Sequence, residues 1–361
     1  MIDKILNKYN IPGEVISCER CGSGNINKTY LLIVGDKKYL VQQINNKVFT
    51  EPYKLMKNID GVTSYLKKKI DKKHKVLELV KTKDDKNLCY IINESGNREY
   101  YRIYEFIDNA ISYDNSTDKE IVFNTGIAFG NFQKLLSDYP MDNLEETIPY
   151  FHDTPKRYKR LIHDIEIDSA NRVKEVKKEI DFINDRKDCL DIIMKSLKDG
   201  SIPYRVTHND TKVNNVMMDK NTNDYIAVID LDTVMPGSML FDYGDGIRST
   251  AASAAEDETN LDKVYFNNEL FEAYTEGYMK EMASCLNKKE VSLMGESIRL
   301  LTLELVIRFL NDYINGDTYF RIKYDKHNLD RARNQMKLVE DIESKMEYVN
   351  QFIEDCYQRY I

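Results

Sequence analysis

Four polar residues in the second half of the chain have the types and the spacing that phosphoryl transfer requires. His208, Asp210 and Asn215 lie in one short segment, with the asparagine five residues after the aspartate. Asp230 follows a strand-like apolar run at 226–229. In such a set one carboxylate accepts the proton of an attacking hydroxyl, while an amide and a second carboxylate hold Mg²⁺ against the phosphates. The side chains of a single HxD more often supply hydrogen bonds within a turn. Two carboxylate clusters separated by a strand, however, favour a phosphotransferase site.

The composition of the chain excludes some classes of function. The chain has 361 residues, too many for one compact core, and 42% of them are hydrophobic, so we expect two domains. A net charge of −8 argues against nucleic acid as the main partner, because affinity for nucleic acid depends on lysine and arginine. No apolar run approaches the roughly 20 residues of a membrane span. The first residues lack a signal-peptide core, so we expect a cytoplasmic protein without a membrane partner.

The N-terminal part is predicted to be a small antiparallel sheet with a short helix at 1–10 and a longer helix at 50–70. Strand patterns separated by turn residues occur at 14–20, 28–34, 37–44, 76–80, 88–93 and 98–108. The turn Gly22-Ser23-Gly24 follows the first strand, and its glycines would let backbone amides approach phosphate oxygens. The same spacing occurs in ordinary hairpins. Together with the Asp210 segment, however, it predicts a turn that covers a nucleotide.

One position departs from the usual nucleotide site. Kinases carry a lysine on the third strand that holds the α- and β-phosphates, and here Gln42 stands in that position without a charge. Lys212, two residues after Asp210, could supply the missing cation, or it could be a solvated loop lysine. At the end of the sheet, Glu105 and Ile107 are assigned by analogy as the backbone positions that pair with adenine.

The remainder of the chain is predicted to be mainly helical. Apolar or charged helical patterns cover 120–137, 151–158, 168–199, 260–285, 289–314 and 329–358. Asp242 follows Asp230 by twelve residues, where kinase-like folds anchor the catalytic loop, so Asp242 and His208 are assigned structural roles. Glu304 and Arg308 lie four residues apart on one helical face. An arginine among apolar neighbours is costly to bury unless it forms an ion pair or binds a ligand. The two residues could therefore form a simple ion pair, or Arg308 could contact the substrate.

The pair Cys18 and Cys21 could be half of a zinc site or a redox pair. No second CxxC among the six cysteines completes a zinc site. We therefore interpret the pair as strand residues that lead into a loop.

Longer blocks of the sequence resemble a known enzyme family. HxDxxxxN with IDxD and FDxGD resembles the aminoglycoside phosphotransferase and choline kinase superfamily. Four longer blocks are more closely similar to bacterial N-acetylhexosamine 1-kinases: GxGxIxxTY, GSIPxRVTHNDTKxNN, IDLDTxMPGSMLFDxGDxIR and RFLxDYxxGDxYF. The similarity covers essentially the whole chain. It implies an α+β, two-lobed protein-kinase-like fold, with a small antiparallel-sheet N-lobe at 1–107 and a larger, mainly helical C-lobe at 108–361.

The resemblance also implies a reaction. The family transfers the γ-phosphoryl group of ATP, with Mg²⁺, to the anomeric hydroxyl of N-acetylglucosamine or N-acetylgalactosamine. By this resemblance Asp210 would be the base that contacts the 1-hydroxyl, and Asn215 and Asp230 would be the metal ligands. Arg308 and Tyr319 would line the sugar site.

Three positions depart from the family pattern at the pocket for the acetyl group. The family has an isoleucine before the glycine turn, a histidine within it and a phenylalanine after the IR dipeptide. This chain has Cys18, Asn25 and Ser249 there, all smaller or more polar. We therefore expect a wider and wetter pocket, which would shift the substrate preference without changing the reaction.

Two other functions fit the same residues. The first is a kinase of another small alcohol, such as choline, homoserine, an aminoglycoside or an unacetylated hexose. Choline kinases need an aromatic and acidic box for the quaternary ammonium, and the sequence shows no convincing one. The second is a nucleotide-binding scaffold without catalysis, which the missing strand lysine favours and which Asp210, Asn215 and Asp230 oppose. The sugar 1-kinase is the leading interpretation.

Overall fold

A computed structural model of the protein describes residues 2–22 and 26–361. Ser23, Gly24 and Asn25, which the sequence assigns to the nucleotide turn and the acetyl pocket, lie outside the described residues. The α+β architecture predicted from the sequence is confirmed: a sheet forms the N-terminal part, and helices form most of the remainder. None of the described helices is both long and apolar enough to cross a membrane.

The N-terminal sheet has five antiparallel strands in the order β1-β2-β3-β5-β4. The strands are β1 (Val15–Arg20), β2 (Lys28–Val34), β3 (Lys37–Ile44), β4 (Cys89–Ile92) and β5 (Arg98–Glu105). A tight turn joins β2 to β3, and Gly35 adopts a positive φ of 57° there, a conformation that glycine takes at little cost. This meander places the middle of β3 directly beside the middle of β5.

The two faces of this sheet are covered by different helices. On one face α1 (Ile2–Leu6) and Tyr9 pack against buried strand residues. On the other face α2 (Pro52–Leu66) buries one apolar stripe, since its apolar residues recur at three- and four-residue intervals. The hydrophobic cluster around α2 also takes in Leu231 and Val234 from the helical part. One core therefore joins the two parts, and a division of the chain after residue 107 stays a prediction.

The helical part is built around one long helix, α9 (Lys288–Ile314), whose sides are almost all buried. The helices are α3 (Lys119–Leu135), α4 (Thr154–Ile167), α5 (Lys177–Asn184), α6 (Ile192–Lys198), α7 (Met239–Thr250), α8 (Asn268–Met282), α9 (Lys288–Ile314), α10 (His327–Ser344) and α11 (Met346–Tyr360). A capping box formed by Asn287 and Glu290 starts α9. Helices α3 and α8 approach closely at Gly126 and Gly277. A Cβ at either position would clash with the backbone of the facing helix.

Five short strands frame the segment that carries the candidate catalytic residues. They are β6 (Ala110–Ile111), β7 (Arg205–Thr207), β8 (Val216–Asp219), β9 (Tyr225–Val228) and β10 (Met235–Gly237). Strand β7 pairs with β10, and β8 pairs with both β6 and β9, all antiparallel. The loop 208–215 and the loop 229–234 both run between these two small sheets. The carboxylates of the two loops are thereby brought together.

Three of the secondary-structure predictions were wrong. Residues 76–80 make one isolated bridge instead of a strand. The long helix predicted at 168–199 is divided into α5, α6 and short 3-10 turns, after Asp168 ends α4 in a left-handed conformation. The helix predicted at 329–358 breaks into α10 and α11 at Lys345. In the divided region the apolar residues keep a helical spacing across the breaks, so the pattern does not show where the pieces separate. The short pieces pack separately on the common core.

Candidate active site

The loop after β7 is fixed by a fully buried carboxylate at the start of α7. Asp242 accepts hydrogen bonds from the backbone N–H groups of His208 (2.8 Å) and Asn209 (2.7 Å), and from the side-chain amide of Gln133. Burial raises the pKa of this carboxyl. His208 is also buried, and its Nε2 donates to the carbonyl of Ile229 at 2.9 Å. These contacts support the structural roles predicted for Asp242 and His208.

Asp210 lies within hydrogen-bond reach of an amide and a cation. The Nδ2 of Asn215 donates to the Asp210 carboxylate at 3.0 Å and to its backbone carbonyl at 2.8 Å. The Nζ of Lys212 lies 2.6 Å from the other carboxylate oxygen. About a third of the Asp210 side chain remains exposed, at 30%. The structure thus brings three predicted residues together around one accessible carboxylate, which the amide orients.

Asp230 occupies a strained position between two other carboxylates. It adopts a left-handed φ of 58°, which is uncommon for residues other than glycine and is often found at functional sites. Part of the residue is exposed to solvent, but the carboxyl group is closely surrounded by protein atoms. This burial, reinforced by Asp232 and Asp210, raises the pKa of the Asp230 carboxyl to about 7, while Arg102 and Lys212 act in the opposite direction. Such an anionic position would be stabilised by a bound cation.

The donors present fit a hard divalent cation held jointly with phosphates. Within residues 2–22 and 26–361, no three His, Cys, Asp or Glu side chains converge as metal ligands. The carbonyl of Asn215 accepts the N–H of Ile229 at 2.9 Å, so the asparagine is tied to the chain just before Asp230. Mg²⁺ is commonly bound by one or two protein oxygens plus phosphate oxygens. Asp230 and the Oδ1 of Asn215 would serve as those protein ligands.

The residues predicted to hold the nucleotide lie along the sheet. Gln42 donates to the Thr29 hydroxyl (3.1 Å) and accepts a hydrogen bond from Arg102 Nε (2.9 Å), so its amide is engaged within the sheet. The N–H of Glu105 is used within the fold, since it donates to the carbonyl of Glu78 at 2.9 Å. Sequence reasoning missed Arg102. The one sign of it was a charged residue between Tyr101 and Ile103, in the middle of a strand pattern.

Ile107 and Gly22 are the predicted nucleotide-site residues at the two ends of the sheet that the structure describes. The N–H of Ile107 has no acceptor among the described residues and could pair with adenine. Gly22 has a positive φ of 81°, and a Cβ there would meet no atom within 4 Å, so the glycine serves the turn rather than tight packing. The nucleotide assignments of both residues stay predictions.

The ion pair considered for Glu304 and Arg308 is not formed. The Glu304 carboxylate instead binds His152 Nδ1 (3.0 Å) and the Thr154 hydroxyl (2.7 Å), with Arg157 Nε at 3.4 Å. Burial opposes ionisation, but the neighbouring His152 and Arg157 lower the pKa of Glu304 to about 2. The carboxylate is therefore fully engaged without Arg308.

Arg308 is left with a guanidinium that has no carboxylate or carbonyl partner in the described part of the chain. Its guanidinium carbon lies 5.9 Å from the ring centre of Phe151 and 5.4 Å from that of Phe320. The Tyr319 ring packs edge-on against Phe320 at 4.8 Å and is 67% exposed as a residue. An unpaired guanidinium between aromatic rings can donate several hydrogen bonds to a ligand rich in oxygen.

The loop that presents Tyr319 is held by another buried carboxylate. Asp312 accepts hydrogen bonds from the backbone N–H groups of Thr318 (2.9 Å), Tyr319 (2.8 Å) and Phe320 (2.9 Å). The side-chain amide of Asn328 donates to the same carboxylate at 2.9 Å. These hydrogen bonds fix the loop that places Phe320 against Arg308 and Tyr319 against Phe320.

The described positions of the predicted acetyl pocket lie in separate elements. The Ser249 hydroxyl, on α7, donates to the carbonyl of Gly246 at 3.0 Å and lies 3.4 Å from the carbonyl of Thr211, the residue after Asp210. Ser249 therefore adjoins the catalytic loop. Cys18 lies in β1, where its thiol is partly buried. That both residues face one pocket stays a prediction.

A sequence model of the phosphotransferase enzyme family, APH, matches residues 17–278, which include the glycine turn, Asp210 and Asp230. The chain belongs to this family. Arg308 and Tyr319 lie beyond the matched region of the phosphotransferase family, so their assignment depends on the longer resemblance described above.

Solved structures with the same protein-kinase-like fold support this placement. A microcompartment-associated aminopropanol kinase superposes with a TM-score of 0.68 at 17% identity, covering 94% of this chain and 96% of that one. A spectinomycin phosphotransferase in complex with ADP and its antibiotic gives 0.59 at 14% identity, covering 96% and 97%. An amicoumacin kinase in complex with AMP-PNP and Ca²⁺ gives 0.60 at 13% identity, covering 98% and 92%. At these identities the similarity shows the shared fold of the phosphotransferase family.

We predict that the cysteine pair is neither a metal site nor a required disulfide. Both thiols are free, and burial raises the pKa of Cys18 and of Cys21, which lowers the thiolate fraction that metal binding or disulfide exchange would need. Cys18→Ser combined with Cys21→Ser should keep the fold and change activity only modestly. Elemental analysis checks this prediction, and stoichiometric zinc in the purified protein that disappears in the double variant would contradict it.

Proposed function

We propose that this phosphotransferase is an ATP- and Mg²⁺-dependent sugar 1-kinase. It would transfer the γ-phosphoryl group of ATP to the anomeric hydroxyl of an N-acetylhexosamine and release ADP and the sugar 1-phosphate. The observation that carries the acceptor assignment is the unpaired guanidinium of Arg308, which stands between Phe151 and Phe320. The sequence blocks that resemble N-acetylhexosamine 1-kinases point to the same acceptor.

The catalytic residues would act mainly by positioning and proton transfer. Asp210 would accept the proton of the sugar hydroxyl as its oxygen bonds to the γ-phosphorus and the bond to the ADP oxygen breaks. Asn215 keeps the Asp210 carboxylate oriented, with its amide 3.0 Å away. Lys212, 2.6 Å from Asp210, supplies positive charge beside the reacting groups. Mg²⁺, held by Asp230 and Asn215, would neutralise the charge of the phosphates.

The acceptor site connects to the catalytic loop through His152. Its Nδ1 contacts Glu304, and its Nε2 lies 3.4 Å from the carbonyl of Asn209, the residue before Asp210. Arg308 is one helical turn from Glu304 on α9. A ligand held by Arg308 would thus have a reacting hydroxyl near the Asp210 loop, as a sugar held by its ring hydroxyls requires.

The charge of this site favours a neutral acceptor over an amino alcohol. Quaternary or protonated amines are recognised by aromatic rings together with a free carboxylate. Here the aromatic rings surround a cation, and the carboxylate one helical turn away, Glu304, is already bound to His152, Thr154 and Arg157. A protonated amine would face the unpaired charge of Arg308, which repels it. An N-acetylhexosamine carries no charge, and its hydroxyl, ring and amide oxygens can accept hydrogen bonds from the guanidinium.

A panel of acceptors tests the proposed function. The protein would be incubated with ATP, Mg²⁺ and, in separate reactions, N-acetylglucosamine, N-acetylgalactosamine, glucose, galactose, choline, ethanolamine, homoserine and an aminoglycoside. We expect ADP release above the acceptor-free background with the N-acetylhexosamines. Release only with amines would assign the protein to amino alcohols, and no release with any acceptor would support a non-catalytic scaffold.

We predict that Arg308→Met raises the KM for the sugar at least about tenfold and leaves the KM for ATP within about twofold, because two or more charged hydrogen bonds to the acceptor are lost. Steady-state kinetics with each substrate varied in turn measure both constants. The matched control is Arg299→Met on the same helix, whose guanidinium pairs with Glu296 and Glu343. Equal effects of the two variants on the sugar KM would remove Arg308 from the acceptor site.

The acetyl pocket leads to a prediction about selectivity. Ser249→Phe combined with Asn25→His should restore the apolar wall, and should increase the preference for N-acetylglucosamine over glucose by about 1–2 kcal/mol in the ratio of kcat/KM values. The kcat/KM of wild type and variant for both sugars measures this change. If the wild-type protein already rejects glucose as strictly as the variant does, other residues read the acetyl group.

A further inference from the structure

A buried arginine lies one strand away from the position where other kinases carry their phosphate-binding lysine. Gln42 on β3 and Arg102 on β5 are direct partners in the antiparallel register. Their side chains lie on the same face of the sheet, and Arg102 Nε donates to the Gln42 amide oxygen at 2.9 Å. The arginine is only 1% exposed. The missing charge at Gln42 is therefore present in its immediate neighbour.

The other end of the Arg102 side chain is paired with the loop that carries the candidate metal ligand. Its Nη1 lies 2.6 Å from the carboxylate of Asp232, which is itself buried and follows Asp230 by two residues. Asn27 on the sheet side donates to the same carboxylate at 2.5 Å, and the Asn27 oxygen accepts the N–H of Asn45 at 3.0 Å. Strand β5 and the residue that precedes β2 are thus tied to one loop of the helical part.

The helix beside the sheet does not supply the acidic partner. In protein kinases the strand lysine is paired with a glutamate of the adjacent helix. Here α2 presents Met56, whose sulfur lies 3.8 Å from Arg102 Nη1. The ion-pair partner is instead Asp232, in the same loop as Asp230. This arrangement couples the sheet cation directly to the metal-binding loop, without a helix between them.

We infer that Arg102 is the positioning residue of the nucleotide site: through Asp232 it fixes the Asp230 loop against the sheet, and it supplies there the positive charge that Gln42 lacks. The inference rests on the proposed use of Mg²⁺ and ATP, but not on which alcohol accepts the phosphate. A purely structural role would require only that Arg102 neutralise the buried Asp232 carboxylate. Variants that keep or remove the charge separately distinguish the two roles.

The first experiment removes the charge. Arg102→Gln should weaken binding of Mg²⁺ and the non-hydrolysable analogue AMP-PNP, measured by calorimetry without any acceptor, by at least about tenfold. It should raise the KM for ATP similarly and leave the KM for the acceptor unchanged. The matched control is Arg98→Gln at the exposed start of the same strand, where Arg98 lies over the Tyr90 ring and away from Gln42. Nucleotide affinity that is equal in wild type and Arg102→Gln would overturn the inference.

Two double variants keep the test valid if Arg102→Gln folds poorly. Arg102→Gln with Asp232→Asn leaves no unpaired buried charge, so its thermal stability should recover while its nucleotide affinity stays low. Arg102→Gln with Gln42→Lys returns a cation to β3 and should restore nucleotide affinity to within about threefold of wild type, because the two positions adjoin. Recovery of affinity in the Asp232→Asn combination would show a structural pair only, and no recovery with Gln42→Lys would also count against the inference. Because calorimetry needs no acceptor, failure here is separate from failure of the sugar-kinase proposal.

Discussion

Asp210→Asn is expected to lower kcat by at least ~100-fold while leaving nucleotide binding largely intact. An amide cannot accept the proton of the attacking hydroxyl, yet it has the size of the carboxylate and can keep one hydrogen bond to Asn215, whose Nδ2 lies 3.0 Å away. The loop should keep its shape, because Asp242 and not Asp210 anchors its backbone. Single-turnover rates and calorimetry with AMP-PNP separate the two effects.

The matched control is Asp224→Asn in the exposed turn before β9, where the carboxylate accepts a hydrogen bond from the local Thr222 hydroxyl and from no other group of the described residues. This variant should have wild-type kcat. A small and equal loss of activity in the Asp210 and Asp224 variants would contradict the assignment of Asp210 as the base.

Asp230→Asn is expected to impair nucleotide binding, whereas Asp210→Asn impairs the transfer step. Removal of the carboxylate should weaken Mg²⁺-dependent nucleotide binding by about 100-fold, because Asp230 would be one of very few protein ligands. In the absence of metal, by contrast, we expect Asp230→Asn not to lower the stability of the protein. At pH 8 the Asp230 charge is destabilised by burial and by Asp232 and Asp210, so the neutral variant should unfold at a temperature no lower than wild type.

Calorimetry with AMP-PNP at several Mg²⁺ concentrations and thermal unfolding without metal provide the two measurements. Asp219→Asn, on the neighbouring strand β8, is the control for affinity. Unchanged nucleotide affinity in Asp230→Asn would remove it from the metal site. A large loss of stability in the metal-free variant would show instead that the carboxylate holds the fold.

The local part of the site could be predicted from the sequence. Asp210, Lys212 and Asn215 are joined by contacts across two to five residues, so their spacing alone implies that they meet. The anchoring role of Asp242 could also be assigned, because its distance from Asp230 is set by one short strand and the start of α7. The hairpin of β2 and β3 could be predicted from the turn at Gly35, whereas the place of β5 between β3 and β4 could not.

The long-range part could not be predicted. Arg102 and Asp232 are distant in sequence, and their 2.6 Å contact depends on how the sheet packs against the helical part. For the same reason helical spacing suggested a Glu304–Arg308 pair, whereas the partners of Glu304 come from α4 and the segment before it. The prediction of one helix at 168–199 failed because the apolar residues keep a helical spacing from Val173 to Leu197, which gives no sign of the breaks between the short pieces.

The most direct test of the proposed function is the identity of the product. The protein would be incubated with N-acetylglucosamine, ATP and Mg²⁺, and the phosphorylated sugar would be examined by ³¹P NMR and mass spectrometry, with Asp210→Asn as the inactive control. We expect one ADP to be released for each N-acetylglucosamine 1-phosphate formed, with the phosphate on carbon 1. A phosphate on any other carbon, or ADP release that requires an amino alcohol in place of the sugar, would contradict it.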